Sequence, residues 1–141
     1  MIVLDTNVVS EITRTTCAEA VRAWFSRHEG ATLDTTTVTE AEIRFGIALM
    51  PDGRRRDTLL QGMEDLLRSG FSGRILSVDR RAALAFTLVA TTARRSGRTI
   101  GMADLLIAAI AVSRGAEAVA TRNVSHFTGL GVPVINPWTE A

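Results

Sequence analysis

Three acidic residues occupy places where a fold can bring them together to do chemistry: Asp5, Glu42 and Asp104. Asp5 follows the apolar run Met1-Ile2-Val3-Leu4 and precedes Thr6-Asn7. Such a run, ended by polar residues, predicts a buried strand whose last residue emerges at the sheet edge. Ligand sites in open α/β sheets lie just beyond the carboxyl ends of the strands. Asp5 is also a good helix N-cap, but Thr6 or Asn7 can take that role in its place, which favours a functional Asp5.

Glu42 stands in Thr37-Val38-Thr39-Glu40-Ala41-Glu42-Ile43-Arg44-Phe45-Gly46, a helix start with two overlapping capping-box registers, Thr37 with Glu40 and Thr39 with Glu42. In the first register Glu42 is free and projects beside Gly46, where a missing side chain leaves room for a ligand. In the second it is the capping acid. Asp104 opens the almost wholly apolar segment Leu105 to Val112. A helix apolar on every face is buried. The helix dipole alone can account for an acid in its first turn, yet a carboxylate near a core needs a partner. All sixteen basic residues are Arg, so the expected partner is a metal ion or an arginine.

Carboxylates brought together repel unless a cation neutralises them. With one Cys and two His in the chain, hard oxygen ligands point to Mg²⁺ or Mn²⁺ and away from zinc. An ion of that kind activates water and stabilises a phosphoryl transition state.

The elements that must position these acids alternate. Strands are expected at Met1 to Leu4, from about Ala31 to Thr36, at Arg74 to Val78, at Ala118 to Thr121 and at Val132 to Ile135. Helices are expected at Val8 to Ile12, at Ala18 to His28 and from Thr37. Others follow from Arg54 to Ser69, from Asp79 to Ser96-Gly97, and from Asp104 to Gly115. Pro51-Asp52-Gly53 is a turn, so residues from about 37 to 70 form a helical hairpin. The pattern predicts an α/β fold, a three-layer α/β/α sandwich with a central parallel sheet of four to five strands, in one domain over residues 1–141. The ends of the first and fourth strands should converge where the strand order reverses. Trp24, Phe25, Phe45 and Phe86 are spaced as core residues.

Composition narrows the function. A formal charge of +1 gives no global field towards a polyanion. The absence of Lys excludes chemistry that needs a lysine ammonium group. Cys17 is alone, so no intramolecular disulfide forms. The longest apolar run is too short to span a bilayer, and a cytoplasmic protein is expected.

At this point a family resemblance is specific. Met1 to Asn7, Glu42-Ile43-Arg44-Phe45-Gly46, Asp104-Leu105-Leu106-Ile107-Ala108-Ala109 and Thr121-Arg122-Asn123, in this order and spacing, resemble a PIN domain. The closing Pro133-Val134-Ile135-Asn136-Pro137-Trp138 further resembles the VapC-type toxins, particularly the FitB-like branch. The resemblance covers the whole chain. It implies a Mg²⁺- or Mn²⁺-dependent endoribonuclease, the toxin of a type II toxin–antitoxin system, held inactive by a cognate VapB-type antitoxin and commonly a homodimer. The first three acids of the family fall on Asp5, Glu42 and Asp104, as catalytic and metal-binding residues. Thr6 or Asn7 would support Asp5, and Thr121 would hydrogen-bond near the metal. Many relatives carry Asp at the place of Asn123 or His126; this chain has neither acid, and Asn123 is left to bind a metal-held water. His126, beside Phe127, reads more simply as a surface or capping histidine. Arg54, Arg55, Arg56, Arg94, Arg95 and Arg98 are either solvated helix ends or a grip on RNA phosphates.

Competing classes fare worse. A phosphate-transferring aspartate enzyme of the haloacid dehalogenase type needs an acid at the place of Asn7 and usually a Lys. A receiver-type signalling module also needs a Lys. A metal-free ribonuclease needs an acid–base pair that His28 and His126 supply poorly. A PIN-like module that binds RNA or a protein partner without cutting is the remaining alternative.

Overall fold

The computed structural model describes residues 1–72 and 74–140; Gly73 and Ala141, which the single-domain expectation includes, lie outside the described residues. The first strand, β1 (Ile2–Leu4), is the middle strand of a five-stranded sheet. It pairs in parallel with β2 (Leu33–Thr36) on one side and β4 (Ala118–Ala120) on the other. β3 (Ile75–Leu76) and β5 (Val134–Ile135) form the edges, giving the order β3-β2-β1-β4-β5. All four pairings are parallel. The strand order therefore reverses between β1 and β4, as the sequence predicts.

The edge strands are shorter than expected, because each has one partner and few ladder bonds to make. Pro133 has no N–H to give; its carbonyl accepts from Val119 at 2.9 Å, and the strand proper starts one residue later.

Residues alternate across the pleat. Val3 and Val119 face a core built with α5 (Arg80–Arg95) and α6 (Met102–Ser113). Ile2, Leu4 and Ala120 face the opposite core, with Val8 and Val9 of α1 (Thr6–Ile12), Trp24 of α2 (Glu19–Arg27), Ile47 of α3 (Thr37–Ala48) and Met63 of α4 (Arg54–Asp65). A sheet between two helical layers is the expected sandwich. α6 is buried from Ile107 to Ala111, as its apolar sequence demands.

Helix ends follow local chemistry. Asp79 accepts from the Ala82 N–H at 2.9 Å and caps α5. Gly97 and Gly115 adopt φ of +73° and +61° past the ends of α5 and α6, where the chain turns left-handed. α2 has no capping side chain of its own. Buried Glu11 instead holds the residue just before it, accepting from the Ala18 N–H at 2.7 Å. The helix expected from Arg54 to Ser69 is α-helical only to Asp65 and finishes in a π-helical turn, Leu66–Gly70. Phe45 departs from the core expectation: it is 66% exposed, with Leu49 at 70%, on the outward side of α3. Its spacing fits a core stripe, but that side of α3 has nothing packed over it.

Candidate active site

Asp5 leaves β1 and caps α1. Its Oδ1 accepts from the Thr6 N–H at 2.7 Å. Its Oδ2 accepts from the Asn7 amide at 2.9 Å and the Thr121 hydroxyl at 2.7 Å. Capping and site geometry are thus one arrangement, where the sequence offered Thr6 or Asn7 as the cap. The side chain of Asn7 joins both strand ends, because its Oδ1 accepts from the Arg122 N–H at 3.0 Å just past β4. Thr121 in turn accepts from the Asn123 N–H at 2.9 Å.

Burial pushes the Asp5 carboxyl up to about 6, against the lowering effect of the Thr121 and Thr6 hydrogen bonds, with further upward pressure from the negative charges of Asp104 and Glu42. Asp5 therefore senses both of the other acids.

Glu42 reaches the same place from α3. Neither predicted capping box forms. The cap is Thr36, whose hydroxyl accepts from the Thr39 N–H at 3.1 Å. The last strand residue already carries a hydroxyl at the helix boundary, so both glutamates are released. Glu40 pairs with Arg44 at 2.8 Å. Glu42 Oε1 accepts from the Thr6 hydroxyl at 2.6 Å. Thr6 thus links two of the acids, through its N–H to Asp5 and its hydroxyl to Glu42. Gly46 has open space where a Cβ would stand, and it lines a cavity of about 290 Å³ with Thr6, Glu42, Arg14 and Arg55. The room expected beside the carboxylate is there.

Asp104 lies in the first turn of α6. Its hydrogen-bonding side chain is not an arginine but His126, whose Nδ1 stands 2.6 Å from Asp104 Oδ2. Sequence reasoning misses this. Position 126 falls in a four-residue helix, α7 (Val124–Phe127), whose site-facing side no periodicity reveals. The one available signal is an unexplained acid on an apolar helix in a chain without lysine.

The arginines divide. Arg54 and Arg55 line a cavity of about 820 Å³ with Arg14, Thr15, Thr16 and Thr58. Arg55 and Arg14 also border the Glu42 cavity. Arg14 is not among the arginines expected from the sequence. Arg56 pairs with Asp52. Arg98 donates to the Ser125 and Thr128 carbonyls at 2.9 and 2.7 Å. Arg94 and Arg95 are exposed in the last turn of α5.

Among the described residues no three His, Cys, Asp or Glu side chains stand close enough to ligate one ion together. Each acid is turned onto its own hydrogen-bond donor, which relieves like-charge repulsion. The donor chemistry still suits a hard cation. Mg²⁺ keeps several waters and takes one or two protein carboxylates, so three direct ligands are not required.

The PIN domain family model matches residues 2–127. A VapC ribonuclease from Sinorhizobium fredii is 42% identical over 141 residues, covering 100% of both chains. Toxin FitB from Neisseria gonorrhoeae is 36% identical over 140 residues, covering 99% of this chain and 100% of that protein. The crystal structure of FitAcB from Neisseria gonorrhoeae superposes with a TM-score of 0.89 at 36% identity, over 99% of this chain and 100% of that one. The structure of FitAB bound to a DNA fragment gives 0.90 at the same 36% identity, over 100% and 98%. With the fold, the order of the acids and full-length similarity in agreement, the chain belongs to the PIN-domain family.

Proposed function

We propose that this chain is the toxin of a type II toxin–antitoxin pair, an endoribonuclease that hydrolyses RNA phosphodiester bonds at Asp5, Glu42 and Asp104 with a divalent ion, Mg²⁺ or Mn²⁺. The observation that carries the reading is the buried Asp5 carboxylate. It sits where β1 meets α1 at the reversal of strand order, under the electrostatic influence of the other two acids. Burial and like charge both act against an ionised carboxyl there, and the donors of Thr6, Asn7 and Thr121 hold it in place against them.

Asp5 and Asp104 would hold the ion, with Glu42 beside them. A bound divalent ion supplies charge against the developing phosphoryl negative charge and lowers the pKa of a water. The protein supplies position. Thr121, Asn7 and the Thr6 N–H fix both oxygens of Asp5. The Thr6 hydroxyl fixes Glu42, and the gap beside Gly46 admits substrate. Arg14, Arg54 and Arg55 offer guanidinium groups to phosphates flanking the cleaved bond.

The likeness to the FitAB complexes supports a VapB-type antitoxin as its partner, and the family resemblance implies that this partner holds the chain inactive. Phe45 and Leu49 on α3 and Leu84 and Leu88 on α5 are exposed apolar side chains suited to association, with a homodimer as the expected assembly. No described helix is long and apolar enough to cross a membrane.

The test is cleavage of structured and unstructured RNA by the purified chain with Mg²⁺, with Mn²⁺ and with chelator. Metal-dependent cleavage supports the proposal. RNA binding without cleavage under every condition would instead make the chain a non-catalytic binding module.

A further inference from the structure

His126 has no place in the chemistry described so far, yet it touches one of the three acids. Its Nδ1 lies 2.6 Å from Asp104 Oδ2. A carboxylate can only accept, so the ring nitrogen donates. Neutral Nδ1–H imidazole and imidazolium both make this bond, and the contact does not depend on which is present.

The short helix that carries His126 is pinned at both ends. Before it, the Asn123 N–H donates to Thr121 Oγ1 at 2.9 Å, and the Thr121 hydroxyl donates to Asp5 at 2.7 Å. Along it, Arg98 Nη1 donates to the carbonyls of Ser125 and Thr128 at 2.9 and 2.7 Å. Phe127, the next residue, is fully buried in the core. A four-residue helix cannot hold its own shape. These outside contacts give it one, and they connect Asp5 to Asp104 through Thr121, Asn123 and His126.

We infer that His126 is a positioning residue for Asp104, held in register by Arg98, and that together they fix the Asp104 carboxylate for cation binding. The inference rests on the divalent-ion reading of the site. Oδ2 is occupied by the imidazole, and Oδ1 has no hydrogen-bond partner among the described residues. A carboxylate with one oxygen already tied loses less freedom when the other meets a cation. Partners of this kind typically contribute about 10–100-fold to metal affinity. Arg98 thereby has an assignment other than RNA contact.

The experiment is Mn²⁺ titration by calorimetry at one pH, with thermal denaturation in chelator alongside, for wild type, His126→Ala, His126→Asn and Arg98→Ala. Asn places an amide N–H close to where Nδ1 stands. His126→Ala should weaken Mn²⁺ binding about 10–100-fold with an unchanged melting temperature, since the ring is partly exposed. His126→Asn should recover most of the affinity. Arg98→Ala should weaken binding in the same direction, and its effect should nearly vanish in the His126→Ala background. Equal Mn²⁺ affinity in wild type and His126→Ala overturns the inference, as does a His126→Asn protein no better than His126→Ala. If the wild type takes up no Mn²⁺, the divalent-ion reading and this inference fall together. If it does and His126→Ala matches it, only the inference falls.

Discussion

Thr121 donates its hydroxyl to Asp5 Oδ2 at 2.7 Å, from the end of β4 to the start of α1, and both residues are buried. The bond crosses the point where the strand order reverses, so one contact both closes the sheet and sets the acid. Replacing Thr121 with Val keeps the shape and removes the donor. The carboxylate then loses a charge-assisted hydrogen bond, a change of about 1.5–3 kcal/mol. Its carboxyl should rise further, because the Thr121 bond is what most opposes the effect of burial. Carboxyl ¹³C NMR titration and urea denaturation check both effects. Thr121→Ser should restore them, and a Val variant with unchanged titration would show that the bond does not form in solution.

The raised Asp5 carboxyl has a pH signature in chelator. Unfolded, it titrates near 3.8; folded, near 6. A carboxyl whose folded value is raised stabilises the fold below the unfolded value and loses that contribution as pH rises through the folded one. Stability should therefore fall between about pH 4 and pH 7 by roughly 3 kcal/mol from this group. Asp5→Asn removes that slope. The check is melting temperature against pH for wild type and Asp5→Asn, in which the variant must gain on the wild type as pH rises towards neutral. Parallel curves would refute the assignment.

Asp79 gives the opposite sign. Its acceptance of the Ala82 N–H, together with Arg114, holds its carboxyl below the ordinary value, so its contribution is present at neutral pH and lost on acidification. Asp79→Ala should lower the melting temperature at neutral pH, as the loss of an N-cap does, and less so in acid. RNA cleavage should be unaltered at temperatures where the variant stays folded. A loss of cleavage at full foldedness would mean that α5 communicates with the site.

How far the sequence reaches is clear from these residues. Asp5 is placed by an apolar run ending in polar residues, a signal carried entirely by neighbours in the chain. Asp104 stands out because an acid at the head of an apolar helix needs an explanation. The cap of α3 falls one residue before the predicted registers, since Thr36, Thr37 and Thr39 all carry the hydroxyl and only the sheet decides which sits at the boundary. The partnership of Asp104 with His126 joins residues 22 apart in different helices. It depends on how Arg98 and Thr121 set a short helix, which no periodicity encodes. Phe45 escapes prediction because apolar spacing cannot tell a stripe facing the core from one facing a partner.

The arginines should separate by their present engagements. Arg55 borders the Glu42 cavity and, with Arg54, lines a second cavity that also includes Arg14, whereas Arg56 is paired with Asp52. Charge reversal at Arg54 and Arg55 should weaken RNA binding and flatten its salt dependence, because fewer phosphates are then neutralised and fewer counterions released. Arg56→Glu should have a smaller effect. Filter binding at several salt concentrations distinguishes them. Equal slopes for all variants would place RNA elsewhere, with the antitoxin as the occupant of these cavities.

Asp104→Asn separates catalysis from folding. The change keeps the side chain's size and leaves an amide oxygen to accept from His126, so the local contact survives. It removes one negative charge from beside Asp5, whose carboxyl that charge helps to raise. In chelator, stability should hold or rise as repulsion is relieved. Cleavage should collapse, because the missing charge is what would retain the cation and favour water activation. Glu40→Gln is the matched control: Glu40 pairs with Arg44 on α3 and belongs to no contact with the other two acids. Its cleavage should stay near the parent rate, at a cost in stability of about 1 kcal/mol or less, the usual range for a solvent-accessible pair. Parental cleavage by Asp104→Asn would end the metal-nuclease reading, and unfolding of that variant in chelator would make Asp104 a structural acid.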